Sequence, residues 1–143
     1  MPTITTFLMF ERDAEGAVAF YKSIFPQFKQ LGPLEFEIGG QRFGAHTGGS
    51  YFKFSEAMSI MVTCEDQAEI DRYYNALLAD GGKETQCGWL TDMFGVSWQI
   101  VPKKLVDLMS DPDPTKCSRV TQALMTMKKI DVAALERAYG GVS

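Results

Sequence analysis

The chain has 143 residues, of which 45% are hydrophobic and 22% charged, and its net charge is -4 at pH 7. These values are ordinary for a globular protein and predict a single domain with one core. They give no basic field that could neutralise phosphates, so no nucleic-acid partner is expected. The apolar runs are short and interrupted by charges, and no secretory signal is recognised, which predicts a cytoplasmic protein without a membrane partner.

Three widely spaced cysteines, Cys64, Cys87 and Cys117, accompany a single histidine, His46. An odd number of cysteines without a secretory signal argues against a disulfide framework, so reduced thiols are expected. Without a CxxC motif or a second histidine, a zinc site is hard to build. A nucleophilic pair of His46 with a thiol stays open as an alternative, although buried structural cysteines are far commoner.

A strand and a helix are predicted first. Thr3 to Phe10 is rich in β-branched and aromatic residues, which favours a strand, and Asp13 is a plausible helix N-cap. Apolar residues recur at helical spacing from Ala14 to Phe25, and Pro26 ends the pattern. We therefore expect a β-α unit whose helix packs on a sheet.

A hairpin is predicted next. Leu34 to Ile38 and Gln41 to His46 flank Gly39-Gly40, a dipeptide that supplies the positive φ angles of a two-residue turn. The register set by this turn makes one face of the hairpin apolar. The other face carries four polar side chains, which are Glu35, Glu37, Arg42 and His46.

The same order of elements then repeats. Ala57 to Cys64 is typical of a strand, and Asp66 with Glu69 predicts the capping box of a second helix that stops at Gly81-Gly82. Two more strands are predicted, at Lys83 to Trp89 and Val96 to Val101. An offset of 54 residues superposes the two strand-helix-strand units, which indicates an internal repeat.

A helical tail is predicted after Pro102, with a break at Asp111 to Pro114. Its apolar residues could pack on the same domain or on a partner.

Several segments carry a resemblance to a known family. They are AEGAVAFYKSIF after the first strand, FEIGGQRFGAHTGG in the hairpin, SIMVTCEDQAEIDRYYNAL, and QCGWLTDMFGVSWQIVP. With GG at 81 and 82 and MKKID at 127–131, they span nearly the whole chain in one consistent order. The chain thus resembles the PhnB-like family of the vicinal oxygen chelate superfamily.

The resemblance implies an α+β fold of two tandem βαβββ modules that form an open, barrel-like sheet around a cavity, followed by a helical tail. It implies modules at about 1–56 and 57–104 and a tail at about 105–143, within a single glyoxalase-like domain. It also implies a homodimer.

Catalytic relatives bind a metal at positions that the resemblance places on Thr5 or Thr6, on Ser59 and on Gln99. Hydroxyl groups and an amide are poor ligands for the divalent metals of this superfamily, which prefer imidazole and carboxylate donors. We therefore expect no metal and no cofactor. His46 is a possible exception, because it is next to Ala45, the counterpart of Gln99 under the 54-residue offset.

Two sets of candidate site residues follow. Glu37 and His46 are the candidate catalytic groups, since the polar hairpin face would line the cavity if the apolar face packs on a helix. The alternative is a solvated face with a cross-strand pair of Glu37 and Arg42. The candidate ligand-binding residues are Phe7, Ser59, Met61, Trp89, Trp98 and Gln99, and core packing is the rival role for each of them.

These features predict a small-molecule-binding protein without the usual metal site and with an unknown physiological role. The alternatives are a metal-independent or atypical metal-dependent isomerase or lyase that uses Glu37 or His46, and a structural role with a filled cavity. Some relatives carry the label of a demethylubiquinone methyltransferase. That activity is not expected, because the sequence has no Gly-rich strand-to-helix loop on a doubly wound sheet.

Overall fold

The computed structural model describes residues 1–142, which divide into two compact units, the first from Met1 to Ser55 and the second beginning at Glu56. Each unit holds its own four-stranded sheet with strands in the order first, fourth, third, second. Each sheet is built from a strand, a helix and three further strands. The α+β class and the two βαβββ modules are therefore confirmed, and the single-domain organisation stays a prediction.

The first unit runs through β1 (Thr6–Phe10), α1 (Ala14–Ile24), β2 (Phe28–Gly32), β3 (Glu35–Ile38) and β4 (Gln41–Thr47). β1 pairs parallel to β4, and the other two pairings are antiparallel. Asp13 caps α1 by accepting a hydrogen bond of 3.0 Å from the Gly16 amide, as predicted. β2 is an edge strand that the pattern did not reveal, because FKQLG has neither alternation nor β-branched residues.

The hairpin of the first unit has the predicted register, with Phe36 opposite Phe43 and Glu37 opposite Arg42. Gly39 and Gly40 have φ angles of 57° and 88°, as a two-residue hairpin turn requires. The Phe36 ring stacks on Phe43 at 5.2 Å between centroids and lies 6.1 Å from the Tyr21 ring of α1. The apolar hairpin face therefore packs on α1, and the polar face points away from it.

The second unit repeats this order with β5 (Ile60–Cys64), α2 (Gln67–Leu77), β6 (Lys83–Glu84), β7 (Trp89–Thr91) and β8 (Ser97–Pro102), and a 3-10 turn covers Ala79–Gly81. Its sheet has the order β5-β8-β7-β6. The predicted N-cap is present, since the Asp66 carboxylate accepts from the Glu69 amide. The Glu69 carboxylate accepts from the amide of Glu65, one residue before the N-cap, so the capping box is present in a shifted form.

The prediction of one strand from Lys83 to Trp89 is wrong, because residues 85–88 leave the sheet. Cys87 and Gly88 have positive φ angles of 57° and 87°, which no regular strand allows. Their amides donate to the carbonyls of Met127 and Lys128, at 2.8 and 2.7 Å. This segment therefore pairs with the tail.

The tail consists of α3 (Lys103–Met109), α4 (Pro114–Leu124) and α5 (Val132–Tyr139). It packs on its own unit through a buried apolar cluster of Val101, Leu108, Val120, Ile130 and Leu135. The Gln67 side chain of α2 ties the tail down, donating to the Ile130 carbonyl and accepting from the Val132 amide. Within residues 1–142, no helix has the length and apolar character needed to cross a bilayer.

Candidate functional site

The second sheet has one face covered by α2 and one face that points away from it. Because side chains alternate along a strand, Trp98 and Ile100 lie on the α2 side and Gln99 lies on the other. Gln99 is directly opposite Met61 on β5 and opposite Trp89 on β7. Met61, Gln99 and Trp89 therefore form a row across three strands, which we name the Gln99 row.

A second row of polar side chains lies beside the Gln99 row. It holds Ser97, two residues before Gln99 on β8, with Thr91 opposite it on β7 and Ser59 just before β5. The Gln99 amide nitrogen donates to the Ser59 hydroxyl oxygen at 2.8 Å. The Ser97 hydroxyl is buried and has no hydrogen-bond partner within the described residues. We name the two rows together the open face.

The open face is accessible at its centre and covered at one end. Met61 is 57% exposed, and Trp89 and Gln99 are half-buried. Val101, two residues beyond Gln99 on the same side of β8, belongs to the apolar cluster of the tail. The tail thus covers the end of the face at Val101 and leaves the Gln99 row accessible, whereas Ser97 beside it is buried.

Trp98 lies apart from the other predicted ligand-binding residues. It is 0% exposed, on the α2 side of the sheet. Its indole N–H donates to the buried Asp92 carboxylate at 2.9 Å, and the same carboxylate accepts from the amides of Phe94 and Val96. Trp98 is therefore a core residue that anchors the turn before β8, and it does not share the surface of Gln99.

The first unit has no equivalent of the Gln99 side chain. β1 pairs Phe7 with Gly44, just as β5 pairs Met61 with Gln99, so the counterpart of Gln99 is Gly44. The 54-residue offset had placed this counterpart one residue later, at Ala45, and that alignment is wrong. The offset of 54 holds for Phe7 and Met61 on the first strands, but the last strands are offset by 55. Phe7 is 60% exposed, and its ring lies over Gly44, where an added Cβ would be 3.0 Å from Cδ2.

Glu37 and His46 lie on the polar face of the first sheet but not side by side. Glu37 is opposite Arg42, and His46 is four residues further along β4, opposite Met9. Four residues of strand span roughly 13 Å, too far for both groups to hold one proton or one reacting atom. The catalytic role of either residue stays a prediction. The two side chains have different neighbours, Arg42 for Glu37 and Met9 for His46.

The residues at the positions that the resemblance assigned to metal ligands do not fit a divalent metal. Ser59 and Gln99 bond to each other, Thr5 and Thr6 offer only hydroxyl groups, and Gly44, the counterpart of Gln99, has no side chain. Among residues 1–142, no three His, Cys, Asp or Glu side chains are grouped closely enough to hold a metal ion. Neutral hydroxyl and amide oxygens are weak ligands for manganese, nickel or zinc.

The cysteines do not form a catalytic centre of the kind that an activated thiol requires. Cys64 is fully buried, and burial first, with the nearby Glu69 and Asp66 carboxylates adding to it, raises the pKa of its thiol from 9.0 to about 12. Such a thiol stays protonated and is a poor nucleophile. Cys117 donates its S–H to the Asp111 carbonyl at 3.2 Å, and Cys87 lies 3.7 Å from the Met125 sulfur.

Comparisons with known proteins give the family. The model of the 3-demethylubiquinone-9 3-methyltransferase family matches residues 30–101, half of the chain. A PhnB protein from Bacillus cereus is 36% identical over 71% of this chain and 99% of that chain, with a TM-score of 0.61. The chain belongs to the PhnB-like family. A search of curated proteins finds no match.

More distant structures share the fold of this PhnB-like chain. The fosfomycin resistance protein FosX from Mesorhizobium loti is 17% identical over 77% of this chain and 98% of that chain, with a TM-score of 0.56. A glyoxalase/bleomycin resistance protein from Albidiferax ferrireducens is 16% identical over 70% of this chain and 98% of that chain, with a TM-score of 0.51. At these identities the likeness concerns the fold alone.

The family's name implies a methyl donor, and this chain does not fit one. The turns from β1 to α1 and from β5 to α2 read Glu11-Arg12-Asp13 and Glu65-Asp66, without a glycine. The Asp13 and Asp66 carboxylates accept from the Gly16 and Glu69 amides in the first turns of these helices. A nucleotide-type donor of methyl groups would need an open glycine-rich turn and free helix amides.

Sequence reasoning missed two members of the open face, Ser97 and Thr91. Ser97 follows from Gln99 within the predicted strand Val96 to Val101, since residue i-2 shares the face of residue i. The pairing with Thr91 was hidden, because β7 was predicted to end at Trp89 rather than to begin there.

Proposed function

We propose that this PhnB-like chain binds a small molecule on its open face, without a divalent metal. The Gln99 row carries the proposal, because it combines an aromatic ring, a flexible thioether and one amide on an accessible surface. Small-molecule sites are mostly apolar and hold a few polar groups that orient the ligand. The unpartnered Ser97 hydroxyl supports it further, since a ligand could satisfy the polar atom that folding leaves unpaired.

The proposal includes a homodimer and a cytoplasmic setting, both carried over from the sequence. Large apolar side chains support the dimer, since Tyr51 and Met58 are exposed and a second copy could cover them. Size-exclusion chromatography with light scattering measures the oligomer directly, and a monomer at micromolar concentration would remove this part of the proposal.

An enzyme that uses Glu37 or His46 is not favoured by any particular contact. Glu37 lies on β3 and His46 on β4, roughly 13 Å apart along the strand direction, and they face different neighbours. The activities printed in the names of FosX and of the methyltransferase family are those of other proteins, and we do not extend them to this chain.

The experiment is a fragment screen followed by nitrogen-15 NMR of the labelled protein. The chain has 2 tryptophans, so the indole signals of Trp89 and Trp98 are easily distinguished by one substitution. A ligand of the open face should shift the Trp89 indole and the Gln99 side-chain amide and leave Trp98 in place.

Matched variants make this screen specific. Met61→Ala should weaken binding at least about fivefold, whereas Met109→Ala, which removes an exposed methionine of the tail, should not. Equal losses in both variants, or ligands that shift only signals outside the open face, would remove the proposed site.

A further inference from the structure

The open face offers its ligand hydrogen-bonding groups that are all neutral. After its bond to Ser59, the Gln99 amide retains its oxygen and one N–H, and the Ser59 hydroxyl retains its proton. Ser97 adds a hydroxyl that is 3% exposed and has no partner within the described residues. These groups can accept and donate at the same place, which matches an amide or a carbonyl next to an N–H.

Charge is confined to the margin of this surface. The paired positions on the same side of β5, β8 and β7 hold only serine, threonine, methionine, valine, glutamine and tryptophan. Lys83 shares this side, but it lies on the edge strand β6, two strands and roughly 10 Å from Gln99. No fixed countercharge therefore lies next to Gln99 among the paired positions of the sheet.

The energetic consequence is a preference against charge. A carboxylate, a phosphate or an ammonium that leaves water for neutral dipoles between Met61 and Trp89 loses hydration without gaining a countercharge. An uncharged amide exchanges its bonds to water for bonds to Gln99 and Ser97 at much smaller cost.

We infer that the ligand of the open face is an uncharged planar molecule with an amide-type hydrogen-bonding edge, read by Gln99 and Ser97 in place of a metal-chelating group. This inference rests on the proposed function. It differs from that proposal in specifying the charge and the polar edge of the ligand.

Three probes of nearly equal shape test it. Benzamide, benzoate and benzamidine differ mainly in the charge of one substituent, and their dissociation constants can be measured from the shift of the Trp89 indole signal. Benzamide should bind about tenfold more tightly than either charged probe. Gln99→Glu, a change of nearly equal size, should turn the preference to benzamidine, and Gln41→Glu, the same change on the exposed hairpin, should leave it unaltered.

The outcomes separate this inference from the proposed function. A tighter complex with benzoate or benzamidine, or equal binding of all three, overturns the inference and leaves a ligand site on the open face. Shifts of Trp89 by other fragments but not by benzamide also overturn it. Should no compound of the screen shift Trp89, both proposals fail.

Should Gln99→Glu not fold, Ser97→Ala provides a second test. It should weaken the binding of benzamide severalfold and leave the affinities for the two charged probes unchanged. Unchanged affinity for benzamide would contradict the role of Ser97.

Discussion

Gln99 and Ser59 hold each other by a hydrogen bond of 2.8 Å, at two positions that the resemblance assigned to metal ligands. The bond uses one donor of the amide and one lone pair of the hydroxyl. What remains is a pair of neutral groups on an accessible strand surface, with Met61 and Trp89 on either side. This arrangement favours recognition by hydrogen bonds over coordination of a cation.

The unpartnered Ser97 hydroxyl predicts an unusual stability effect. A buried hydroxyl without a hydrogen bond costs about 1–3 kcal/mol, so Ser97→Ala should leave the free energy of unfolding unchanged or raise it by about 1 kcal/mol. Ser59→Ala is the control, because it removes the acceptor of the Gln99 amide and should lower stability by about 1 kcal/mol. Urea unfolding measures both. A loss in Ser97→Ala as large as in Ser59→Ala would show that the Ser97 hydroxyl is paired.

Two glycines with nearly the same φ angle separate backbone strain from steric clash. Gly88 and Gly49 have φ angles of 87° and 88°. A Cβ at Gly88 would be 2.7 Å from the Ile100 carbonyl oxygen, whereas a Cβ at Gly49 has nothing within 4 Å. Gly49→Ala should lower the free energy of unfolding by about 1 kcal/mol, from backbone strain alone. Gly88→Ala should lower it by at least about 2 kcal/mol more, because the clash is added to the strain. Equal costs would mean that residues 85–88 do not pack as described.

The Asp92 carboxylate should be a strong determinant of stability in the second unit. It is 3% exposed and accepts from the Phe94 and Val96 amides and the Trp98 indole. Asp92→Ala leaves these donors unpaired and should lower the free energy of unfolding by about 3 kcal/mol or more. Asp107→Ala, on the exposed side of α3, should change it by less than about 0.5 kcal/mol. Similar effects of the two changes in urea unfolding would contradict the network.

The raised pKa of Cys64 predicts a loss of stability at alkaline pH. The folded thiol, with a pKa of about 12, keeps its proton when the unfolded thiol, with its ordinary pKa of 9.0, loses it. The free energy of unfolding should therefore fall as the pH rises above about 9, and it should fall less steeply in Cys64→Ala.

In the folded protein at pH 8, a thiol reagent should modify the half-buried Cys87 and Cys117 before Cys64. Fast reaction of all three thiols would contradict the burial of Cys64.

Local rules predicted much of the fold because they act through neighbouring residues. Gly39-Gly40 set the hairpin register, and Asp13, Asp66 and Glu69 gave the helix starts. Long-range partners were beyond these rules. The edge strand β2 is polar, and Cys87 leaves the sheet because its amide bonds to Met127, forty residues away in sequence.

The candidate binding residues came from the sequence and their binding role stays a prediction, whereas their arrangement comes from the structure. Met61, Gln99 and Trp89 share a face because they are opposite one another on paired strands, and Ser59 lies just before β5. The sequence located β5 and β8 closely but not β7. The orientation of Trp98 depends on alternation from Gln99, and the counterpart at Gly44 depends on the pairing of β1 with β4. Alternation alone places Trp98 on the face opposite Gln99. The counterpart at Gly44 requires the register, which only the structure supplies.

Titration with manganese(II), followed by nitrogen-15 NMR, tests most directly whether Gln99 and Ser59 replace a metal site. Manganese(II) broadens signals within its immediate surroundings, so a bound ion would reveal its place. At equimolar manganese(II), we expect the Gln99 side-chain amide and the Trp89 indole to broaden no more than exposed signals elsewhere. Selective broadening of the Gln99 amide, lost in Gln99→Ala, would contradict the metal-free site.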